Sequence, residues 1–247
     1  MAARKKRPGP RETRRIQLLR EVLEGRMPGD QAEKAAQFMW NTWGSLKNIL
    51  SAPEEAIASV PGMDPDTARH LRLTLELARA CLDEETDSVK RVGDRRTAVE
   101  LFQPLFLGQR VEAVGAVLLD TGSRVIYRGI VCEGAVNAVP LYVRRLVRLC
   151  IDYDADSFIL AHNHISGSAE PSKQDILTTK HLVLALDCIQ VRLKDHIILT
   201  DGGYFSFSES GILHAMADDA LAQWRSGIAG TRELTDYLAK AGLGAGN

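Results

Sequence analysis

The chain has 247 residues, of which 45% are apolar and 26% charged, with a formal net charge of −1. This is the composition of a globular protein with one large or two smaller domains. No apolar run approaches the roughly eighteen residues of a membrane helix, which argues against a membrane protein. Cys81, Cys132, Cys150 and Cys188 lie far apart in apolar segments without a C-x-x-C pair, so reduced core thiols and a cytoplasmic location are expected rather than a disulfide scaffold.

The near-neutral total conceals an asymmetry. The first twenty residues hold Arg4, Lys5, Lys6, Arg7, Arg11, Arg14, Arg15 and Arg20 against one acid, Glu12. They lack the apolar core of a secretory signal. Residues 1–15 are expected to be a basic disordered arm. Such an arm serves either as a solubilising tail or as a non-specific DNA contact through phosphates, in which case binding falls steeply with salt.

A small all-helical domain is expected over residues 16–85. Apolar spacing predicts helices over 16–23, ending near Gly25, and over 31–41, with Ala32, Ala35, Ala36, Met39 and Trp40 inward. Short helices over 46–50 and 53–60 follow. Val60-Pro-Gly-Met-Asp-Pro65 then leads into a helix over 67–82. Helix, glycine turn and helix resemble a helix-hairpin-helix module, which takes a phosphate on backbone N–H groups. Asp64 stands where that module has a second glycine, and a carboxylate there repels phosphate. A structural hairpin is therefore expected ahead of a DNA-binding one. The polar, acidic stretch 83–88 reads as linker, with the domain boundary placed at 86–96.

The pattern changes in the second domain, set at residues 97–220. A helix over 96–107 precedes a strand over 111–120, a Thr121-Gly122-Ser123 turn and a strand over 124–131, which make a hairpin. Pro140 opens a helix to Tyr153 with Arg144, Arg145 and Arg148 on its solvent face. Ser157-Phe-Ile-Leu-Ala161 is a short apolar strand. If it continues through His164, its period of two puts His162 and His164 on one face. Ser172 then stands three residues before Asp175, the arrangement of a helix cap with an acid in the first turn. Two imidazoles at a strand end and a carboxylate at the next helix start can meet at one point. Two nitrogens, one oxygen and a fourth position for water form the ligand set of a catalytic zinc site.

Strands over 191–200 and 204–207, a closing helix over 208–216, a helix over 233–241 within a tail at 221–247, and no internal repeat complete the chain. Strands mixed with helices behind a helical domain make the fold class α/β, or α+β with a mixed sheet.

His162-Asn-His164, seven residues, Ser172, two residues and Asp175 match the metal signature of the JAMM (MPN-domain) metalloproteases. His-Asn-His-Ile-Ser-Gly167 and Asp195-His-Ile-Ile198 resemble the bacterial RadC branch, over residues 97–215 and more loosely 29–85. Ile165 stands where the family usually has proline, a change in loop stiffness. The resemblance implies an MPN/cytidine-deaminase-like fold, Zn2+, and hydrolysis of a peptide or isopeptide in an unidentified protein substrate.

It also implies a general base, a glutamate opening the first core strand about fifty residues before the histidine pair. Glu112 occupies that place, with Glu100 and Glu133 as rivals. In the family the serine matching Ser172 also steadies an oxyanion; capping alone would account for it. Asn163 is expected to face away from the metal and to be structural. His196 is expected to be a satisfied core histidine ahead of a partner of the metal site, and His70, His181 and His214 are expected to be ordinary positions. The alternative function is a DNA-associated repair accessory protein with a structural or vestigial metal site. An HNH-type nuclease is rejected, because its histidines and asparagine are spread over a ββα unit.

Overall fold

The computed structural model describes residues 9–134 and 139–218. The chain divides at Cys81/Leu82 into two compact units. In the first, α1 (Pro10–Glu24), α2 (Gly29–Trp43), α3 (Leu46–Leu50), α4 (Glu54–Ala58) and the start of α5 (Pro65–Asp87) enclose Ile16, Leu19, Leu23, Ala36, Met39, Ile49, Ile57 and Leu71.

Helix α1 begins six residues before the expected start, which corrects the disordered arm for residues 10–15. The reason is local. Pro10 sits at the first helical position, where its missing N–H costs nothing, and Glu12 accepts the Gly9 N–H at 2.7 Å. Residues 1–8 of the expected arm lie outside the described residues, as do the expected tail at 221–247 and its helix over 233–241.

The α4–α5 hairpin turns through Gly62, whose φ of 85° favours glycine. Asp64 then caps α5: its Oδ1 accepts the Thr67 N–H at 2.6 Å. That bond is the main cause holding the Asp64 carboxyl below its usual value. The helix start that would take a phosphate in a DNA-binding hairpin is already filled by the chain's own carboxylate.

Residues 83–87, expected as linker, are the last turns of α5. An acidic helix C-terminus is unfavourable by itself. It is offset by Arg128, whose side chain is only 10% exposed and meets Asp83 at 2.7 Å and Asp87 at 3.0 Å. A third contact of the same guanidinium runs to the Leu101 carbonyl at 3.3 Å.

The second unit is built on a five-stranded sheet. Its strands are β1 (Ala113–Leu119), β2 (Val125–Glu133), β3 (Ser157–Asn163), β4 (Arg192–Thr200) and β5 (Gly203–Ser206), in the order β2-β1-β3-β4-β5. Only β3–β4 is parallel. Parallel neighbours need a crossover, and α8 (Lys173–Asp187) supplies it.

Strand alternation sorts the sheet's two faces. Val114, Ala116, Leu118, Phe158, Leu160 and Ile198 pack with Val143, Leu146 and Cys150 of α7 (Val139–Asp152) and with Leu182 and Leu186 of α8. Ala113, Val117, Ile159, Ala161 and Ile197 pack with Ala98, Leu101, Phe102 and Phe106 of α6 (Arg95–Phe106). Gly115 permits this, because a Cβ there would meet both phenylalanine rings at 3.3 Å. The closing helix begins at residue 212 rather than 208, since residues 206–208 are held to Asp195 by two hydrogen bonds. Among the described residues no helix is long and apolar enough to cross a membrane.

Removing the Arg128 cation should loosen the end of α5. Arg128→Met is expected to lower unfolding free energy by about 1–2 kcal/mol, because hydrogen bonds to charged groups are lost while the exposed carboxylates regain water. Urea unfolding measures this, and an unchanged midpoint would contradict it.

Candidate metal centre

The strand β3 ends at Asn163, but its ladder reaches one residue further: the His164 N–H donates to the Leu199 carbonyl at 2.9 Å. His162 and His164 therefore keep the alternation and share the face covered by α7 and α8. After a turn through Gly167, at φ 83°, Pro171 and Ser172 start α8. Ser172 Oγ accepts the Asp175 N–H at 3.1 Å. In return Asp175 Oδ2 accepts from the Ser172 N–H at 2.8 Å and from Oγ–H at 2.6 Å. This reciprocal cap aims a carboxylate that is only 5% exposed back at the strand end.

The three side chains converge. His162 Nε2 lies 3.3 Å from Asp175 Oδ1, and His164 Nε2 lies 3.4 Å from Asp175 Oδ2. The two Nε2 atoms are 2.9 Å apart. Zinc bonds of roughly 2.0–2.1 Å at tetrahedral angles imply ligand separations of about 3.3 Å, so the donor set fits such an ion. His164 offers a lone pair there, because its Nδ1–H donates to the Ser168 carbonyl at 2.8 Å and leaves Nε2 bare. Burial pushes His162 down to about 4, with Asp175 opposing and His164 adding to the shift. Its ring is neutral at pH 7, the form that ligates a metal.

The register separates the three glutamates. Val114 pairs with His162 at the end of the β1–β3 ladder, and Glu112 stands two residues before it, where continued strand alternation would put it on the histidine face. It is half-buried, and among the described residues no hydrogen bond or ion pair engages its carboxylate. Glu133 pairs with Ala113 and so belongs to the other face, where it accepts from Gln109. Glu100 sits on α6, also on that side, bonded to Arg96 at 2.8 Å.

Asn163 points away from the histidines and clasps the segment on either side of Glu112. Its Oδ1 accepts the Ala113 N–H at 2.7 Å and its Nδ2 donates to the Val111 carbonyl at 3.2 Å. The Ser172 hydroxyl donates to Asp175 Oδ2 and its oxygen accepts the Asp175 N–H, so it caps the helix and orients the carboxylate. His196 is buried and satisfied, as expected, and its Nε2 also lies 2.8 Å from His162 Nδ1, directly behind the candidate ligand. Burial, and after it the nearby His162 and His164, hold His196 well below its usual value. His70 meets Arg26 and His214 meets Asp218.

A family model described as the RadC-like JAB domain matches residues 92–212. A UPF0758 protein of Stenotrophomonas maltophilia strain K279a is 34% identical over 206 residues, spanning 83% of this chain and 88% of the relative. UPF0758 proteins of Nitrosospira multiformis and of Aliivibrio fischeri strain MJ11 are 33% and 30% identical, each spanning more than four-fifths of both chains. The chain belongs to the RadC family. Its mixed sheet with flanking helices is the JAB (MPN) fold, and its His162, His164 and Asp175 form a possible metal site within that fold.

Asn163→Ala in this RadC-family protein leaves the buried Ala113 N–H without a partner. It should cost about 1–3 kcal/mol of stability. Thermal unfolding reads the change, and an unaltered melting temperature would show that the clasp holds nothing.

Proposed function

We propose that this RadC-family protein is a zinc-dependent hydrolase of peptide or isopeptide bonds. The observation that carries the reading is the meeting of two imidazole nitrogens and one carboxylate at one point. His162, His164 and Asp175 would hold the ion. When bound, zinc lowers the pKa of water towards ~7 and polarises an amide carbonyl.

The chain's own groups do the rest. Glu112, half-buried and with its carboxylate in no hydrogen bond or ion pair among the described residues, takes a proton from the attacking water and returns it to the leaving amine. Asn163 holds the backbone on both sides of that glutamate. Ser172 orients Asp175, and in the oxyanion role it would have to turn its hydroxyl from that carboxylate toward the developing charge. The partner is a protein or peptide substrate. The DNA-associated alternative has the basic first twenty residues in its favour, whereas Asp64 fills the phosphate position of the hairpin.

Glu112→Gln is expected to retain zinc and to lose about 10²–10⁴-fold in turnover on a peptide and isopeptide panel. Native turnover in that variant, with zinc in place, would overturn the assignment of the base.

A further inference from the structure

Behind His162 a chain of hydrogen bonds runs back into α8, and its protons can be placed one at a time. Thr179 Oγ1 lies 2.6 Å from the Asp175 carbonyl. A carbonyl only accepts, so the single hydroxyl proton of Thr179 is used there. The same oxygen is 2.7 Å from His196 Nδ1 and must accept from it. His196, 2% exposed and carrying one ring proton, then has a bare Nε2. That atom accepts from His162 Nδ1–H at 2.8 Å. The remaining nitrogen of His162, Nε2, is left with its lone pair facing Asp175 and His164.

We propose that Thr179 and His196 are positioning residues that fix His162 in its Nδ1–H tautomer and so prepare its Nε2 for the metal. The inference rests on the reading of His162, His164 and Asp175 as ligands. A free imidazole divides its proton between two nitrogens and turns about its bonds. Here both freedoms are removed. The ring of His196 is itself held flat against Phe207, with centroids 4.8 Å apart and planes 14° apart. Its place beside β3 comes from the parallel pairing of Leu160 with His196.

The arrangement also uses Asp175 twice. Its carboxylate faces the metal position, while its backbone carbonyl begins the chain that orients a second ligand. One turn of α8 thereby controls two of the three donors. His164 is independent, since Ser168 sets its tautomer.

The test compares the native chain with Thr179→Val, Thr179→Ser and His196→Phe. Zinc affinity is measured by competition with a chromophoric chelator, and ring tautomers by 15N NMR of metal-free protein, after circular dichroism has established that each variant is folded. Thr179→Val and His196→Phe should bind zinc about 10–100-fold more weakly, the range for loss of a group that orients a ligand. Thr179→Ser, which keeps the hydroxyl, should restore native affinity. The His162 ring should show a protonated Nδ1 in the native chain and a mixture of tautomers in Thr179→Val, with His164 unchanged as internal control.

Native affinity in both Thr179→Val and His196→Phe would overturn the proposal and leave the metal site standing. If the native chain binds no zinc, the ligand reading fails instead. The spectrum then still decides the positioning claim: a protonated Nε2 on His162 refutes it, and a protonated Nδ1 supports it.

Discussion

The reciprocal bonds between Ser172 and Asp175 fix the first turn of α8, and with it the only carboxylate among the three converging side chains. A cap is ordinarily a device for ending a helix, since it satisfies N–H groups that have no partner within it. Here the same contact fixes chemistry. If α8 began one residue later, Asp175 would swing by about 100° about the helix axis and leave the histidines without their oxygen partner. A strand end and a helix start, both held by backbone geometry, are a more exact support for ligands than a loop would be.

The sheet carries the second half of the arrangement by alternation alone. The dipeptide Asp195-His196 shows how. Asp195 is on the α6 side, where it accepts from Ser206 at 2.6 Å and from the Ser208 N–H at 2.9 Å, with Arg95 at 3.6 Å. Burial raises its pKa, and those contacts oppose the rise. His196, next in the strand, faces the other way and stands behind His162. One residue ties β5 and α6 to the sheet while its neighbour meets the candidate site. Asn163 and the pair His162 and His164 repeat the pattern on β3.

The strand, cap and helix around residues 157–175 were legible in the sequence because every interaction there is local. Period two, a turn glycine and a serine three residues before an acid need no knowledge of distant partners. Glu112 was within reach only through resemblance; the β1–β2 register puts its rival Glu133 beside Ala113, on the sheet face away from the histidines, and Glu100 lies on α6 of that same side. The errors have the opposite character. The acidic turns at 83–87 looked like linker because their counter-charge, Arg128, is more than forty residues away. Helix α1 was begun too late because apolar spacing outweighed the proline and Glu12 at its start. A buried, satisfied His196 is legible locally, but its contact with His162 depends on a parallel register that no local pattern encodes.

The central claim is that three side chains of this chain hold one metal ion. Elemental analysis of the purified protein, native and Asp175→Asn, tests it most directly after zinc is supplied and excess removed. The account predicts about one zinc per native chain and a marked loss in the variant, because a neutral amide neither matches the carboxylate's charge nor accepts the Ser172 bonds in the same way. A native chain that holds no metal, or an Asp175→Asn chain that holds as much as the native, would contradict it.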